Sequence, residues 1–292
     1  MKKEAPVVSI ITSVFGQLEY TKKCLDKLEK TLRGKISYEV LIVDDASTDG
    51  TKQFLLTLPF PYRVFFNDTK KGFAKNNNYA AREAKGEYIC FLNNDVFVQG
   101  NWLLPMIEVF QTKKMVGMVG NVQRLAGSWR YDHMGIVFSP EGKPVHYGQG
   151  FFHLPFKGEL KQWNAVTAAC CVTRSSLFYE LDGFNEEYLS GCEDIDLCMR
   201  MGLKKLRQYV VNYSIVQHVK CASEGRLAHN IKNELRFNCR WGKEIIARYA
   251  ILDRFHYAYW YIIKSILRPF SSKIHLFYES ISILNGTHQF RK

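Results

Sequence analysis

The 292-residue chain has no CxxC pair among its eight cysteines, no internal repeat and no low-complexity linker. Several thiols sit inside apolar runs such as Tyr88 to Leu92, so the pattern is that of reduced, buried cysteines in a cytosol, and it argues against a disulfide frame or a zinc knuckle. A run long enough to span a bilayer is missing as well. The longest apolar stretch, Tyr257 to Leu267, is broken by Lys264 and falls well short of the roughly 20 residues a spanning helix needs. Met-Lys-Lys at the start passes straight into an alternating strand, without the apolar segment and small-residue cleavage site of a secretory signal, so export is not expected. The first strand is followed by Ser13-Val14-Phe15-Gly16-Gln17-Leu18. That is neither the G-x-G-x-x-G turn of a dinucleotide-dependent oxidoreductase nor the Gly-rich basic loop that would hold a triphosphate. Acidic residues are scarce at the end of the chain: residues 201–292 hold 5 Asp and Glu against 16 Lys and Arg, so +11 of the formal +12 lies there.

What is present describes a globular protein. With 47% hydrophobic and 14% aromatic side chains, the chain can bury a full core and a smaller second unit. Val7 to Thr12 is a β-branched run of strand length, and Tyr20, Cys24, Leu25, Leu28 and Leu32 follow at helical spacing. Glu39 to Val43 is a second strand, ending in Asp44 and Asp45, with Ser47 to Asp49 as capping residues for a helix over Thr51 to Leu56. Tyr62 to Phe66 and Glu87 to Leu92 are further strands, separated by a helix over Asn76 to Ala84. Strands alternating with helices imply an α/β fold with a mainly parallel central sheet flanked by helices. Beyond residue 120 the pattern is less regular, with a turn at Ser139 to Lys143 and strands near Ile136, Val166 to Thr173 and Tyr209 to Val211.

Ligands of such sheets gather beyond the carboxyl ends of the strands, where Asp44, Asp45 and Asp95 fall. Acidic clusters there repel one another unless a cation or donor groups neutralise them. Magnesium and manganese bind through one or two carboxylates together with substrate phosphates, so Asp95 alone is chemically adequate, although it could equally cap a loop. A second cluster, Cys192 to Arg200, crowds Glu193, Asp194 and Asp196 before an apolar helical stretch. Asp196 reads as a cap or structural contact, whereas Glu193 and Asp194 could supply a general base. His218 in VQHVK is either a packed histidine or a ligand.

In this order the residues resemble the family 2 inverting glycosyltransferases of the GT-A fold, from about Val7 to Ser223. The resemblance rests on VVSIITSVFG, LIVDDASTDGT, KGFAKNNNYAAREAKGEYICFLNNDVFV and AVTAACCVTRSSLFYELDGFNEEYLSGCEDIDLCMRMG. It implies that Ser13, Asp45 and Asn94 contact the nucleotide, that Asp95 and His218 hold a divalent metal (Mn2+ or Mg2+), and that Asp194 is the catalytic base with Glu193 as acceptor-side support. The metal motif here is Asn93-Asn94-Asp95, with one carboxylate where many relatives have two, as in members resembling rhamnosyltransferases. Ala168 stands where relatives usually have glycine, and the expectation is a methyl group intruding on the sugar pocket.

The implied organisation is a GT-A catalytic domain over 1–225, with a nucleotide-sugar half (1–120) and an acceptor half (121–225), and a basic, aromatic, helical C-terminal extension over 226–292. The implied activity is inverting transfer of a hexose or deoxyhexose from a nucleoside diphosphate sugar, UDP- or dTDP-linked. The acceptor is a hydroxyl of a glycan or lipid-linked glycan in bacterial surface polysaccharide synthesis. A catalytically weak module binding nucleotide sugar or an anionic polymer is the alternative, disfavoured by the presence of both Asp95 and Asp194. No nucleic acid partner is expected. The extension, with Phe255, Tyr257, Tyr259, Trp260, Tyr261, Phe270 and Phe277 among Arg254, Lys264, Arg268, Lys273, Arg291 and Lys292, suits a helix at an anionic membrane surface. It could instead pack back onto the domain. The location implied is cytoplasmic and peripheral to the inner face of the membrane.

Overall fold

The computed structural model describes residues 5–154, 158–189, 191–219, 230–267 and 280–284. The expected strands and helices of the first hundred residues are present, with ends shifted by a few positions. They are β1 (Val8–Val14), α1 (Leu18–Leu32), β2 (Tyr38–Asp44), α2 (Thr51–Leu55), β3 (Tyr62–Phe66), α3 (Phe73–Glu83) and β4 (Tyr88–Leu92). Next come β5 (Val96–Phe97), α4 (Leu104–Thr112), β6 (Val116–Leu125), β7 (Tyr131–His133), and a small hairpin of β8 (Ile136–Phe138) and β9 (Pro144–His146). The chain continues through β10 (Leu160–Trp163), β11 (Cys170–Arg174), α5 (Ser175–Glu180), α6 (Glu193–Leu203) and β12 (Arg207–His218). It ends in α7 (Asn230–Glu244), a π-helical turn at Ile245–Tyr249, and α8 (Ala250–Leu267).

The main sheet has the order β10-β12-β6-β11-β4-β1-β2-β3. β3, β2, β1 and β4 are parallel, β11 runs against both β4 and β6, and β12 is parallel to β6. β6 and β12 therefore point the same way as β4, and their carboxyl ends share its edge. Alternation along each strand sends one set of side chains to each face. Val8, Ile10, Val40, Ile42, Cys90 and Leu92 join a core with α1 and α4. Ile11, Leu41, Val43, Ile89 and Phe91 join a second core with α3, α5 and α6. Both faces are covered, which is why these strands are apolar throughout. The segment expected as strand from Val166 becomes one only at Cys170, and the long β6 was not legible as a strand. All seven cysteines among the described residues are free, five of them buried; Cys221 lies outside the described residues.

The two halves expected to divide near residue 120 share one sheet, because β6, β11 and β12 are hydrogen-bonded into it. The C-terminal helices are equally continuous with the domain. Phe237, Trp241, Ile245, Tyr257, Ala258 and Trp260 are buried in the same core as Phe91 and Leu197. At roughly 1.5–3 kcal/mol per large buried side chain, this packing is comparable with the whole stability of a domain. The helices are part of the fold, and the boundary at 225–226 falls outside the described residues. Of the aromatics expected in the extension, Tyr257 and Trp260 point inward, and Phe255 and Tyr259 are exposed. Phe270, Phe277, Arg268, Lys273, Arg291 and Lys292 lie outside the described residues.

α8 also closes onto the β8–β9 hairpin, where the buried Asp253 accepts a hydrogen bond from the Phe138 amide at 2.8 Å. Burial pushes the Asp253 carboxyl up to about 6 from its ordinary 3.8, while the Phe138 amide, Asn164 and Lys161 pull it down. The folded-state value lies above the unfolded one, so the protonated form favours folding. That contribution is complete below about pH 4 and is lost as pH rises through about 6. Between about pH 4 and about pH 7.5 the wild type should lose about 2–3 kcal/mol more stability than Asp253→Asn, which stays neutral. Urea denaturation at the two pH values checks this; parallel losses in both proteins would exclude it.

Candidate active site

Ser13 lies within β1 and not on the loop after it, with Val43 of β2 alongside. Its hydroxyl accepts from Asn76 Nδ2 at 3.0 Å. Asn76 in turn accepts from Asn67 Nδ2 at 2.8 Å, and the same Asn67 amide donates to Asp45 Oδ1 at 3.0 Å. Asp45 is 2% exposed and also receives the amides of Lys71 at 2.7 Å and Gly72 at 2.9 Å. Three of the four lone-pair positions of its carboxylate are thus filled by the loop leading into α3, which leaves one for a ligand. Gly72 adopts φ +88°, and a Cβ there would stand 2.8 Å from Leu189 O, so this turn admits only glycine. Asp49 anchors the neighbouring turn by accepting from the Leu18 amide at 3.1 Å and the Thr51 hydroxyl at 2.6 Å.

Asn94 is turned toward α1, where its Nδ2 donates to Thr21 Oγ1 at 3.0 Å. Asp95, one residue on, is 7% exposed, and its Oδ1 is buried without a hydrogen-bond partner. Its Oδ2 stands 3.6 Å from His218 Nε2, which is also buried without a hydrogen bond. β12 places His218 beside Val96, and the Val219 amide donates to Asp95 O at 2.9 Å, so the pair is fixed by backbone. The other ring nitrogen, Nδ1, lies 3.1 Å from Oδ2 of Asp132 on β7, and Gln149 Nε2 donates to Asp132 Oδ1 at 3.1 Å. Burial alone would lower the His218 pKa; the Asp132 and Asp95 carboxylates reverse this and raise it to about 9. The ring is therefore held as an imidazolium between two carboxylates near neutral pH. Among the described residues no three His, Cys, Asp or Glu side chains converge as a metal cluster. Asp95 Oδ1 and His218 Nε2, both buried without hydrogen bonds, nonetheless fit a divalent cation that takes its remaining ligands from phosphate and water.

Asp194 sits half-buried in the first turn of α6, with Oδ2 accepting from the Ala168 amide at 2.9 Å and Oδ1 from the Ile195 amide at 2.9 Å. Glu193 beside it is buried. The Ala168 methyl, expected to intrude on the sugar pocket, is 2% exposed and joins the core; it is the backbone of that residue that faces Asp194. The Asn93 amide donates to Ala169 O at 2.9 Å. That bond ties the Asp95 turn to the segment holding Asp194, so both lie at the same end of the adjacent strands β4 and β11.

Asp196, wholly buried, accepts from Arg200 Nε at 2.8 Å and Trp241 Nε1 at 2.7 Å, with Arg240 Nε at 3.3 Å. Arg200 carries the connection onward to the carbonyls of Leu181 and Gly183. This carboxylate is structural, as its position suggested. Asp132, Gln149, Asn67 and Asn76 are the residues at the site that the sequence did not mark.

Similarity to known proteins identifies the family and the fold. Residues 9–182 match the model of glycosyl transferase family 2, and the chain belongs to that family. Its fold is the GT-A fold of nucleotide-diphospho-sugar transferases: a solved structure of GalNAc-T7 with UDP, GalNAc and Mn2+ superposes with a TM-score of 0.67. That likeness covers 88% of this chain and 51% of the other, at 15% identity. The O-antigen biosynthesis protein RfbC of Myxococcus xanthus is 29% identical over 238 residues, 77% of this chain and 17% of RfbC. The rhamnosyltransferase WbbL of Escherichia coli is 26% identical over 217 residues, 70% of this chain and 80% of WbbL. The chain spans between 17% and 60% of the length of three of the curated relatives it matches.

The Asp196 anchor gives a direct test of the architecture around Asp194. Removing one partner of a buried ion pair leaves the other uncompensated and costs about 3–5 kcal/mol. Asp196→Ala should lose that much in urea denaturation and loosen α7, seen as faster amide exchange around Trp241. Wild-type stability in this variant would show that the anchor contributes nothing.

Proposed function

We propose that the chain is an inverting glycosyltransferase that uses a UDP- or dTDP-linked hexose or deoxyhexose to extend a glycan or lipid-linked glycan of a bacterial surface polysaccharide. The observation that carries this reading is the placement of Asp45, the Asp95–His218 pair and Asp194 along one edge of the β2-β1-β4-β11 run. Donor and acceptor would meet between them. Ser13 and the remaining lone pair of Asp45 contact the nucleoside, with Asn94 keeping the Asp95 turn against α1. Asp95 and His218 would hold a divalent cation, Mn2+ or Mg2+, which would supply electrostatic stabilisation to the diphosphate leaving group. Asp132 would keep the His218 Nδ1 proton, while the Nε2 proton of the metal-free ring would be displaced as the cation binds and Nε2 becomes a ligand.

Asp194 then takes the proton of the acceptor hydroxyl as that oxygen bonds to the anomeric carbon. The bond from that carbon to the diphosphate oxygen breaks on the opposite face, and the configuration inverts. The amides of Ala168 and Ile195 fix the carboxylate, and the neighbouring Glu193 disfavours a second negative charge, which makes Asp194 a better base. The names of RfbC and WbbL support a place in O-antigen or related polysaccharide synthesis. WbbL supports a deoxyhexose such as rhamnose as the donated sugar.

Two substitutions separate these roles. Asp194→Asn should reduce turnover by roughly 10²–10⁴ with donor affinity unchanged. Asp95→Ala should abolish transfer and also Mn2+ binding followed by electron paramagnetic resonance with UDP present. Near-normal turnover in the first variant would transfer the base role to Glu193; unaltered Mn2+ binding in the second would remove the metal assignment.

We further propose that the outer face of α7 and α8 rests on anionic lipid. Ile246, Ile251, Leu252 and Phe255 are exposed there, with Lys243 and Arg248 also exposed. No helix among the described residues is long and apolar enough to cross a membrane. Because α8 also supplies core residues, truncation is a poor test, and the outward Leu252→Ser with Phe255→Ser is the better one. The wild type should float with phosphatidylglycerol vesicles, less so as salt rises, and the double variant should stay in solution. Equal behaviour of both would end the membrane reading.

A further inference from the structure

A cleft of about 500 Å³ opens between the β8–β9 hairpin and helices α7 and α8, and one of its walls is Cys192, two residues before Asp194. Its volume is within the range of about 300–1,000 Å³ usual for small-ligand sites. It does not reach Asp45 or Asp95. Part of the lining is aromatic: Tyr257 and Tyr261 contribute to it, with ring centroids 4.5 Å apart and planes 32° from parallel. Part is charged, with Glu141 and Lys143 from the hairpin and Glu234 from α7.

This lining selects among occupants. Two carboxylates against one ammonium disfavour a diphosphate, so the cleft is not a second nucleotide site. A lipid chain would gain nothing from three charged groups along its length. A pyranose has an apolar face of C–H groups and a rim of hydroxyls, which matches a lining that offers both aromatic rings and charged hydrogen-bonding partners. Cys192, which lines the cleft, is two residues before Asp194, so the cleft adjoins the turn that carries the proposed base.

We propose that this cleft is the binding site for uncharged sugar residues of the acceptor glycan, those preceding the residue whose hydroxyl reaches Asp194. The proposal rests on the glycosyltransferase reading and adds that the C-terminal helices, with the hairpin, choose the acceptor.

The test is binding without donor. The full chain is titrated with uncharged trisaccharides containing rhamnose, glucose or N-acetylglucosamine, followed by saturation-transfer NMR, and separately with UDP. At least one trisaccharide should bind. Tyr261→Ala should weaken it roughly tenfold and Glu234→Gln severalfold, while Tyr261→Phe keeps it and none of the three alters UDP affinity. Glu234 is exposed, so its variant carries the test even if Tyr261→Ala fails to fold. Failure of every trisaccharide to bind at about 10 mM, where UDP does bind, overturns the proposal. So does binding that ignores both residues. A chain that binds trisaccharide through Tyr261 but turns over no donor would sink the enzymatic reading and leave the cleft standing. An active chain whose acceptor KM ignores Tyr261→Ala and Glu234→Gln would do the reverse.

Discussion

Buried carboxylates at one edge of a parallel sheet repel each other, and each must find donors inside the protein or a ligand. Asp44, Asp45, Asp95 and Asp132 are all buried at this edge. Asp45 is answered by the loop entering α3, and Asp132 by Gln149 and His218. Asp44 receives the Ser47 amide at 3.3 Å. Asp95 is the one whose Oδ1 is left without a donor, and the nearest cation to its other oxygen is a histidine at 3.6 Å. The buried Oδ1 of Asp95, left without a donor, puts unmet electrostatic demand where a phosphate-bound cation would be needed.

The same logic separates two neighbouring acids in one motif. Asp194 and Asp196 lie within one turn of α6, yet Asp196 is wholly buried against two arginines and an indole, while Asp194 accepts from the Ala168 and Ile195 amides and remains partly open to solvent. A carboxylate enclosed by guanidinium groups and an indole is closed to a substrate, whereas one that is half-exposed can be approached by a hydroxyl. Structural and chemical roles are thus divided by partners that come from α7, more than thirty residues away along the chain.

That distance explains what could be read from the chain alone. β1 to β4 and their helices were legible because each is a local pattern: β-branched runs, helical spacing, and strand ends marked by Asp44, Asp45 and Asp95. Asp95 stands out at a strand end and Asp194 in an acidic cluster, His218 only through the resemblance to the glycosyltransferases, and the turn at Ser139 to Lys143 through its composition. Asp132 was not legible, because it stands in a three-residue strand whose importance comes only from pairing with β6 next to β12. β6 itself, with three glycine or asparagine positions among its ten residues, has weak strand character and is stabilised by two neighbours in the sheet. The extension was read as a surface helix because its charge was visible and its partners were not. Tyr257 and Trp260 differ from Phe255 and Tyr259 only in the face of α8 that they occupy.

The grip of α8 on the hairpin bears on how relatives in this family could exchange specificity. Asp253 bonds to the Phe138 amide, and Tyr249 packs on the Phe138 ring with centroids 6.0 Å apart. The hairpin and the terminal helices therefore form one module, although 83 residues lie between His146 and the start of α7 in sequence. A single crossover anywhere between them would split that module. A chimera made by grafting only the terminal helices of another member would inherit a hairpin shaped for different helices, and the two parts stay together only if the graft begins ahead of β8 or the hairpin is exchanged as well.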